Sequence, residues 1–225
     1  MKVTISLGGS IMVPDEPDIN YIKKVANLLS ELCNDHEIAV VAGGGKLARE
    51  YIEITRGLGS SEEFSDNVGI AATRMNAYLL ISAIGSKANQ KPALDIQTAA
   101  KQMGKGKIAV MGGTDPGHST DAVAAELAEI TKADLFIKAT DVDAIYDKDP
   151  QEHKDAKRLD EISIDQLTPL VESQSSKAGT YALIDMRAVQ ALKRSKVKGA
   201  FLSGRDFDNL KRAIEGKDFK GTSID

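Results

Sequence analysis

Apolar positions along the chain fall into two alternating patterns. Short, nearly continuous runs rich in Val and Ile occur at Val3 to Leu7, Ile38 to Ala42, Ile108 to Met111 and Leu135 to Ala139. Each is too short for a typical helix and reads as a strand buried on both faces, the form strands take in a parallel sheet covered by helices. Between them the apolar residues recur at helical spacing. Ile22, Val25, Leu28, Leu29 and Leu32 mark a helix after the first strand, Lys46 to Thr55 a second, and Thr120 to Thr131 one before the fourth strand. A longer pattern begins at Ser60, with Glu63 as capping-box partner, and continues through Ile84. After Asp149-Pro150 the polar stretch QEHKDAKRLDE predicts a surface loop or short hairpin. A helix over Met186 to Lys196 capped by Asp185, a strand from Gly199 to Leu202 and a helix from Phe207 to Glu215 follow. This alternation predicts an α/β fold, a three-layer sandwich whose mainly parallel central sheet is covered by helices. No internal repeat or low-complexity segment interrupts residues 1–225, so a single domain is expected.

The polar segments that follow the four strands carry the chemistry. They read GGS at 8–10, GGGK at 43–46, GGTDPGHST at 112–120 and TDVDAIYDKDP at 140–150. Ligands of open α/β sheets bind outside the carboxyl ends of the strands, so four such loops describe one long crevice, with room for two ligands. Glycines allow close backbone approach, and a helix N-terminus just beyond adds partial positive charge, which together suit an anion. GGGK meets both conditions, with Lys46 and Arg49 on one face at the start of its helix. It matches neither the P-loop pattern nor the dinucleotide pattern GxGxxG. In the third loop Pro116 and Gly117 predict a turn and Ser119 or Thr120 a helix cap. Asp115, His118 and the second hydroxyl exceed what a plain connection needs, and suit a second phosphate. Asp121 either complements the dipole of its helix or orients the crevice's cations.

Composition narrows the ligand. Of 225 residues 42% are hydrophobic and 28% charged, with 29 Lys+Arg against 33 Asp+Glu, a formal net charge of −4. Nucleic-acid polymers are therefore unexpected partners, since they call for a basic stripe, and aromatics at 4% without Trp supply few stacking platforms. Small anions stay in play, because a few cations and backbone amides suffice. The lone Cys33 falls in a helical pattern as a buried thiol and fits a reducing cytoplasm. No apolar run reaches the roughly 18–20 residues that span a bilayer, so no membrane segment is expected. His36 and His153 read as solvated, as does the basic run Lys193, Arg194, Lys196 and Lys198. No metal-ligand spacing or nucleophile elbow occurs, so neither a fixed protein metal site nor covalent catalysis is indicated.

Taken in order, GGS, GGGKLAR, GGTDPGHSTDAVAA and ATDVDAIYDKDP resemble the amino acid kinase family, and within it the archaeal-type UMP kinases, from residue 1 to the final GTSI. The resemblance implies the amino acid kinase-like fold and a Mg²⁺-dependent transfer of the ATP γ-phosphoryl group to UMP, giving ADP and UDP in pyrimidine nucleotide synthesis. It implies that Gly9 and Ser10 contact ATP phosphates, with Gly45 on the ATP side and Gly44 on the UMP side of one loop. Arg49 would hold the transferring phosphate, with Lys46 beside it. Asp66 would bind UMP, plausibly through ribose hydroxyls, together with Thr114, Asp115, Pro116, Gly117, His118, Ser119 and Thr120. Thr140, Tyr146 and Asp149 match the nucleoside end of the ATP site, and Asp121 the aspartate of the family's TD motif. Lys46, Arg49 and Asp121 are thus the expected catalytic residues, residues 1–134 the acceptor lobe and 135–225 the ATP lobe. A cytoplasmic homohexamer is implied as well.

Three positions depart from the wider family. Ser6 stands where many members carry a lysine two residues before the first glycine, which leaves Lys46, Lys138 or Lys177 to supply that charge. Ala144 replaces the glycine of VDG, so a positive-φ turn is not expected there, and Asp141 replaces a lysine or asparagine. Two other readings stay open: a kinase of another small acid such as acetylglutamate, carbamate or isopentenyl phosphate, and a non-catalytic nucleotide- or oxyanion-binding protein on the same fold.

Overall fold

A computed structural model describes residues 1–150, 152–175 and 184–225. Strands β1 (Lys2–Leu7), β2 (Glu37–Ala42), β3 (Ile108–Met111) and β4 (Leu135–Thr140) lie where the apolar runs predict them, and pair in parallel. β5 (Ile145–Tyr146) and β6 (Arg158–Leu159) form an antiparallel ribbon around the polar stretch. β7 (Glu161–Ile162), β8 (Lys198–Ser203) and β9 (Thr222–Ile224) complete a seven-stranded sheet of order β3-β2-β1-β4-β8-β9-β7, in which only β8 and β9 run antiparallel. The helices are α1 (Gly9–Met12), α2 (Ile19–Leu32), α3 (Gly45–Gly57), α4 (Glu62–Ile84), α5 (Ile96–Gln102), α6 (Thr120–Thr131), α7 (Ile164–Ser175), α8 (Met186–Ser195) and α9 (Phe207–Ile214).

Side chains alternate across the sheet, and this sorts the core into two halves. Val3, Ile5 and Leu7, with Ile38, Val40, Ile137 and Leu202, pack toward α2, α4 and α9. Ala39, Val41, Met111, Phe136 and Phe201 pack on the other face, toward α6 and α8. Because register partners on neighbouring strands point the same way, Ser6 and Lys138 share the α6 face with Phe136. Ala122, Ala124, Ala125 and Ala128 are fully buried on α6, and their small side chains let that helix lie close to β1.

Some local details differ from expectation. Ser61, not Ser60, caps α4, accepting from the Phe64 N–H at 3.2 Å, so Glu63 is not its capping-box partner. The segment Glu62–Lys87 is long and apolar enough to cross a bilayer by length and composition, although half of its most apolar window is buried in this fold. Lys193 and Arg194 are not simply solvated: they bridge to Asp165 and Glu129 at 2.7 and 2.8 Å. His36 is half-buried, with Nδ1 3.2 Å from the terminal amine of Met1. β9 escapes sequence reading because three residues, TSI, carry no run and pair only with distant partners.

Candidate active site

The glycine loops leave the sheet along its carboxyl edge. Gly8 N–H donates to Ala139 O and Gly43 N–H to Leu7 O, both at 2.8 Å, so each loop starts by bonding to the end of the next strand. The first two loops then pack backbone to backbone. A Cβ on Gly9 would fall 1.9 Å from the Gly45 nitrogen, and Gly45 itself has φ +68°, so both positions need glycine. Ser10 lies in the short helix α1 of the first loop.

Beside them opens a cleft of about 350 Å³, lined by Gly44, Gly45, Arg49, Asp66, Thr73 and Gly113 and by the third loop at Asp115, Gly117, His118, Ser119 and Thr120. Asp115 to His118 form a tight turn, with His118 N–H donating to Asp115 O at 3.2 Å and Gly117 at φ +77° after Pro116. Asp66 Oδ2 accepts the Gly117 N–H at 2.7 Å, so the carboxylate expected to bind the acceptor also fixes this turn. Ser119 caps α6 by accepting from the Ala122 N–H at 3.1 Å, which directs the N-terminus of that helix at the cleft. Thr114 and Pro116 belong to the same loop without lining the cleft. Among the described residues Thr114 Oγ1 and His118 Nδ1 are buried without a hydrogen-bond partner, His118 Nδ1 lying 3.9 Å from Glu126.

One turn of α4 holds both loops in place. Thr73 Oγ1 accepts the Gly113 N–H at 2.7 Å, Arg74 Nε donates to Gly113 O at 3.1 Å, and Asn76 Nδ2 donates to the carbonyls of Gly43 and Gly44 at 2.8 and 3.1 Å. None of these three was expected from the sequence. Their positions are set by where α4 packs beneath the loops, and the local signal was three polar side chains within the largely apolar stretch 68–81 of that helix.

The two expected cations separate. Arg49 lines the cleft, and among the described residues it has no protein partner. Lys46 does not line it: its ammonium is half-exposed and pairs with Asp15 at 2.5 Å and Glu50 at 3.9 Å. The hydrogen bond to Asp15 is the main cause of a raised lysine pKa. The reason is reach, since a long flexible stem takes the nearest carboxylates. At Ser6 the arrangement is different. Ser6 Oγ donates to Asp121 Oδ1 at 2.6 Å, and the Lys138 ammonium pairs with Asp121 Oδ2, with the two ionic side chains 14% and 15% exposed. Lys177 lies outside the described residues.

Thr140 ends β4, Tyr146 and Asp149 follow it, and none of the three lines the cleft. Thr140 Oγ1 donates to Asp141 at 2.9 Å and Tyr146 OH to Asp143 at 3.0 Å. Desolvation, then the Asp143 hydrogen bond, push the Tyr146 phenol up. The buried Thr222 accepts the Ile145 N–H at 2.8 Å and so ties this ribbon to the sheet. Ala144 is fully buried and, as expected, not at positive φ. Among the described residues no three His, Cys, Asp or Glu side chains cluster as a metal site.

The chain was compared with known proteins. The model of the amino acid kinase family matches residues 1–203. A uridylate kinase of Methanobrevibacter smithii is 45% identical over 224 residues, covering all of this chain and 99% of the relative. The crystal structure of a uridylate kinase from Archaeoglobus fulgidus superposes with a TM-score of 0.88 at 43% identity, over the full length of both chains. A UMP kinase structure from Bacillus anthracis, at 20% identity and a TM-score of 0.81, shares the fold. With a family model spanning most of the sequence and full-length relatives of this identity, the chain belongs to the amino acid kinase family.

Proposed function

We propose that this chain transfers the γ-phosphoryl group of ATP to UMP, releasing ADP and UDP on the route to UTP and CTP. The observation that carries the reading is the cleft in which a glycine loop, Arg49, Asp66 and the capped third loop converge. Full-length relatives named uridylate kinase support UMP as acceptor. Phosphoryl transfer needs little covalent help from protein, so the work is to align two polyanions and neutralise their charge.

Residues 1–134 hold UMP in this reading. Its phosphate meets Gly44, Arg49 and the N-terminus of α6, while the Asp66 oxygen not engaged by Gly117 accepts a ribose hydroxyl. Thr114 to Thr120 wrap the base and sugar. ATP lies on the side of residues 135–225, its phosphates over Gly9, Ser10 and Gly45 and its nucleoside end near Thr140, Tyr146 and Asp149. Mg²⁺ would come with ATP as part of the MgATP substrate and would neutralise phosphate charge there, so few protein ligands would be needed.

The same reading extends to assembly. Tyr51 and Ile54 on α3, Leu58 just past its end, and Phe64, Met75, Tyr78 and Leu79 on α4 are large apolar side chains left exposed, Leu58 at 79%. Such a face supports self-association into the expected homohexamer. The buried free thiol of Cys33 fits a reducing cytoplasm. The non-catalytic alternative drew its support from Ser6, and Lys138 beside that position removes the reason for it.

The test is ADP release from MgATP with UMP, CMP, dUMP and the small acids as acceptors. UMP is expected to give the highest kcat/KM. The reading fails if UMP releases no more ADP than the blank without acceptor while another acceptor does.

A further inference from the structure

We propose that Lys138 is the cation that neutralises the transferring phosphoryl group, delivered from β4 instead of β1 and aimed by Asp121. This rests on the phosphoryl-transfer reading above. Ser6 and Lys138 are register partners on adjacent parallel strands and point to the same face, so a charge moved from position 6 to position 138 shifts sideways by only about 5 Å, one strand spacing.

Three observations carry the assignment. The first is burial. The Lys138–Asp121 pair is almost wholly withdrawn from water, where an ion pair contributes little net stability because desolvation offsets the attraction. The second is unspent donors. An ammonium has three N–H groups, and among the described residues Asp121 is the only partner of Lys138, so donors remain for an anion. The third is location. The residue after Lys138 accepts the Gly8 N–H through its carbonyl, tying it to the first glycine loop. Asp121 lies in the first turn of α6, whose cap Ser119 lines the acceptor cleft. Lys138 therefore stands between the loop given to ATP phosphates and the helix end given to the acceptor phosphate. Lys46, held outside by Asp15 and Glu50, does not.

In the step itself an oxygen of the UMP phosphate forms a bond to the γ-phosphorus as the bond from that phosphorus to the β,γ-bridging oxygen breaks. ADP departs with the electron pair, and no net proton is exchanged. Negative charge collects on the bridging and γ-oxygens, where a fixed ammonium in a site shielded from water acts most strongly. Asp121 is the positioning residue: one oxygen holds the ammonium and the other is fixed by Ser6 Oγ at 2.6 Å.

The experiment compares the wild-type protein with Lys138→Met, Lys138→Arg and the relocated pair S6K/K138M, each in the full chain, measuring kcat, KM and thermal midpoint. Lys138→Met is expected to lower kcat by roughly 100-fold, the scale for loss of one transition-state charge stabiliser, with KM for UMP changed less than about threefold. S6K/K138M, which returns the ammonium to the same Asp121, is expected to recover about tenfold or more of that loss. A folded Lys138→Met with kcat within about threefold of wild type overturns the proposal. If Lys138→Met does not fold, S6K/K138M decides by its kcat relative to wild type, near-equal rates supporting the proposal and a 100-fold deficit in a folded protein overturning it. The wild-type protein separates the two claims, since its failure to release ADP with UMP counts against the acceptor alone. The Lys138 comparison is then made with the panel acceptor that does release ADP, a roughly 100-fold loss of kcat in Lys138→Met supporting its role and a kcat within about threefold of wild type overturning it.

Discussion

The side-chain amide of Asn76 donates to the carbonyl oxygen of Gly43 at 2.8 Å, so the helix that lines the cleft also holds the glycine loop proposed to serve both substrates. Asn76 is 2% exposed, and its amide serves Gly44 as well at 3.1 Å. Replacing it with Ala removes a buried donor from two carbonyls, a change that costs about 1–3 kcal/mol when nothing replaces the bond. Urea unfolding of Asn76→Ala is expected to show a lower midpoint, with kcat/KM for both substrates reduced because the loop is shared. An unchanged midpoint would mean that water has taken over the bond.

Arg49→Ala should separate catalysis from stability. An exposed side chain without a protein partner among the described residues contributes within about 0.5 kcal/mol to folding. As a phosphate-holding cation it is worth about 100-fold in rate. Steady-state ADP release beside thermal denaturation checks both at once, and a fall in midpoint with unaltered turnover contradicts the assignment.

Asp66→Asn probes the division between acceptor and ATP sites. The carboxylate accepts the Gly117 N–H at 2.7 Å and faces the cleft, so its loss disturbs the acceptor loop alone. The KM for UMP is expected to rise about tenfold while that for ATP stays near wild type, following the strength typical of a hydrogen bond to a charged group. A selective loss of ATP affinity would reverse the assignment of the two sites.

His36 links folding to pH. Desolvation first, then the charge of the terminal amine, holds its imidazole below the ordinary value of 6.5. The folded state therefore binds fewer protons than the unfolded one in the window just below 6.5, and stability there rises with pH. The contribution is complete above 6.5 and is lost as pH falls through the lower folded value. His36→Gln is expected to flatten this part of the stability profile, measured by urea midpoints from pH 5 to 8, and an unchanged slope would rule the residue out.

The central strands were legible because burial on both faces writes itself as an apolar run: β1 to β4 each end within one residue of expectation. The loops that follow them were legible for a related reason, since Gly9 and Gly45 admit no side chain and Gly117 must take positive φ. One cleft gathers Gly44, Gly45, Arg49 and Asp66 with most of the third loop. Lys46 pairs with Asp15 and Glu50 instead of lining the cleft, because proximity in sequence to a glycine loop says nothing about the carboxylates that compete for a flexible ammonium.

The sequence by itself thus determined the layered α/β fold, the edge of the sheet from which the glycine loops leave and the residue types at those loops, because each depends on periodicity, strand ends and glycine sterics that are local along the chain. Only the tertiary structure decided that Thr73, Arg74 and Asn76 of α4 clamp two loops and that Lys138 stands beside Ser6 on Asp121. Those contacts join residues 17 to 115 positions apart, and their geometry is set by strand register and helix packing, which no local pattern encodes.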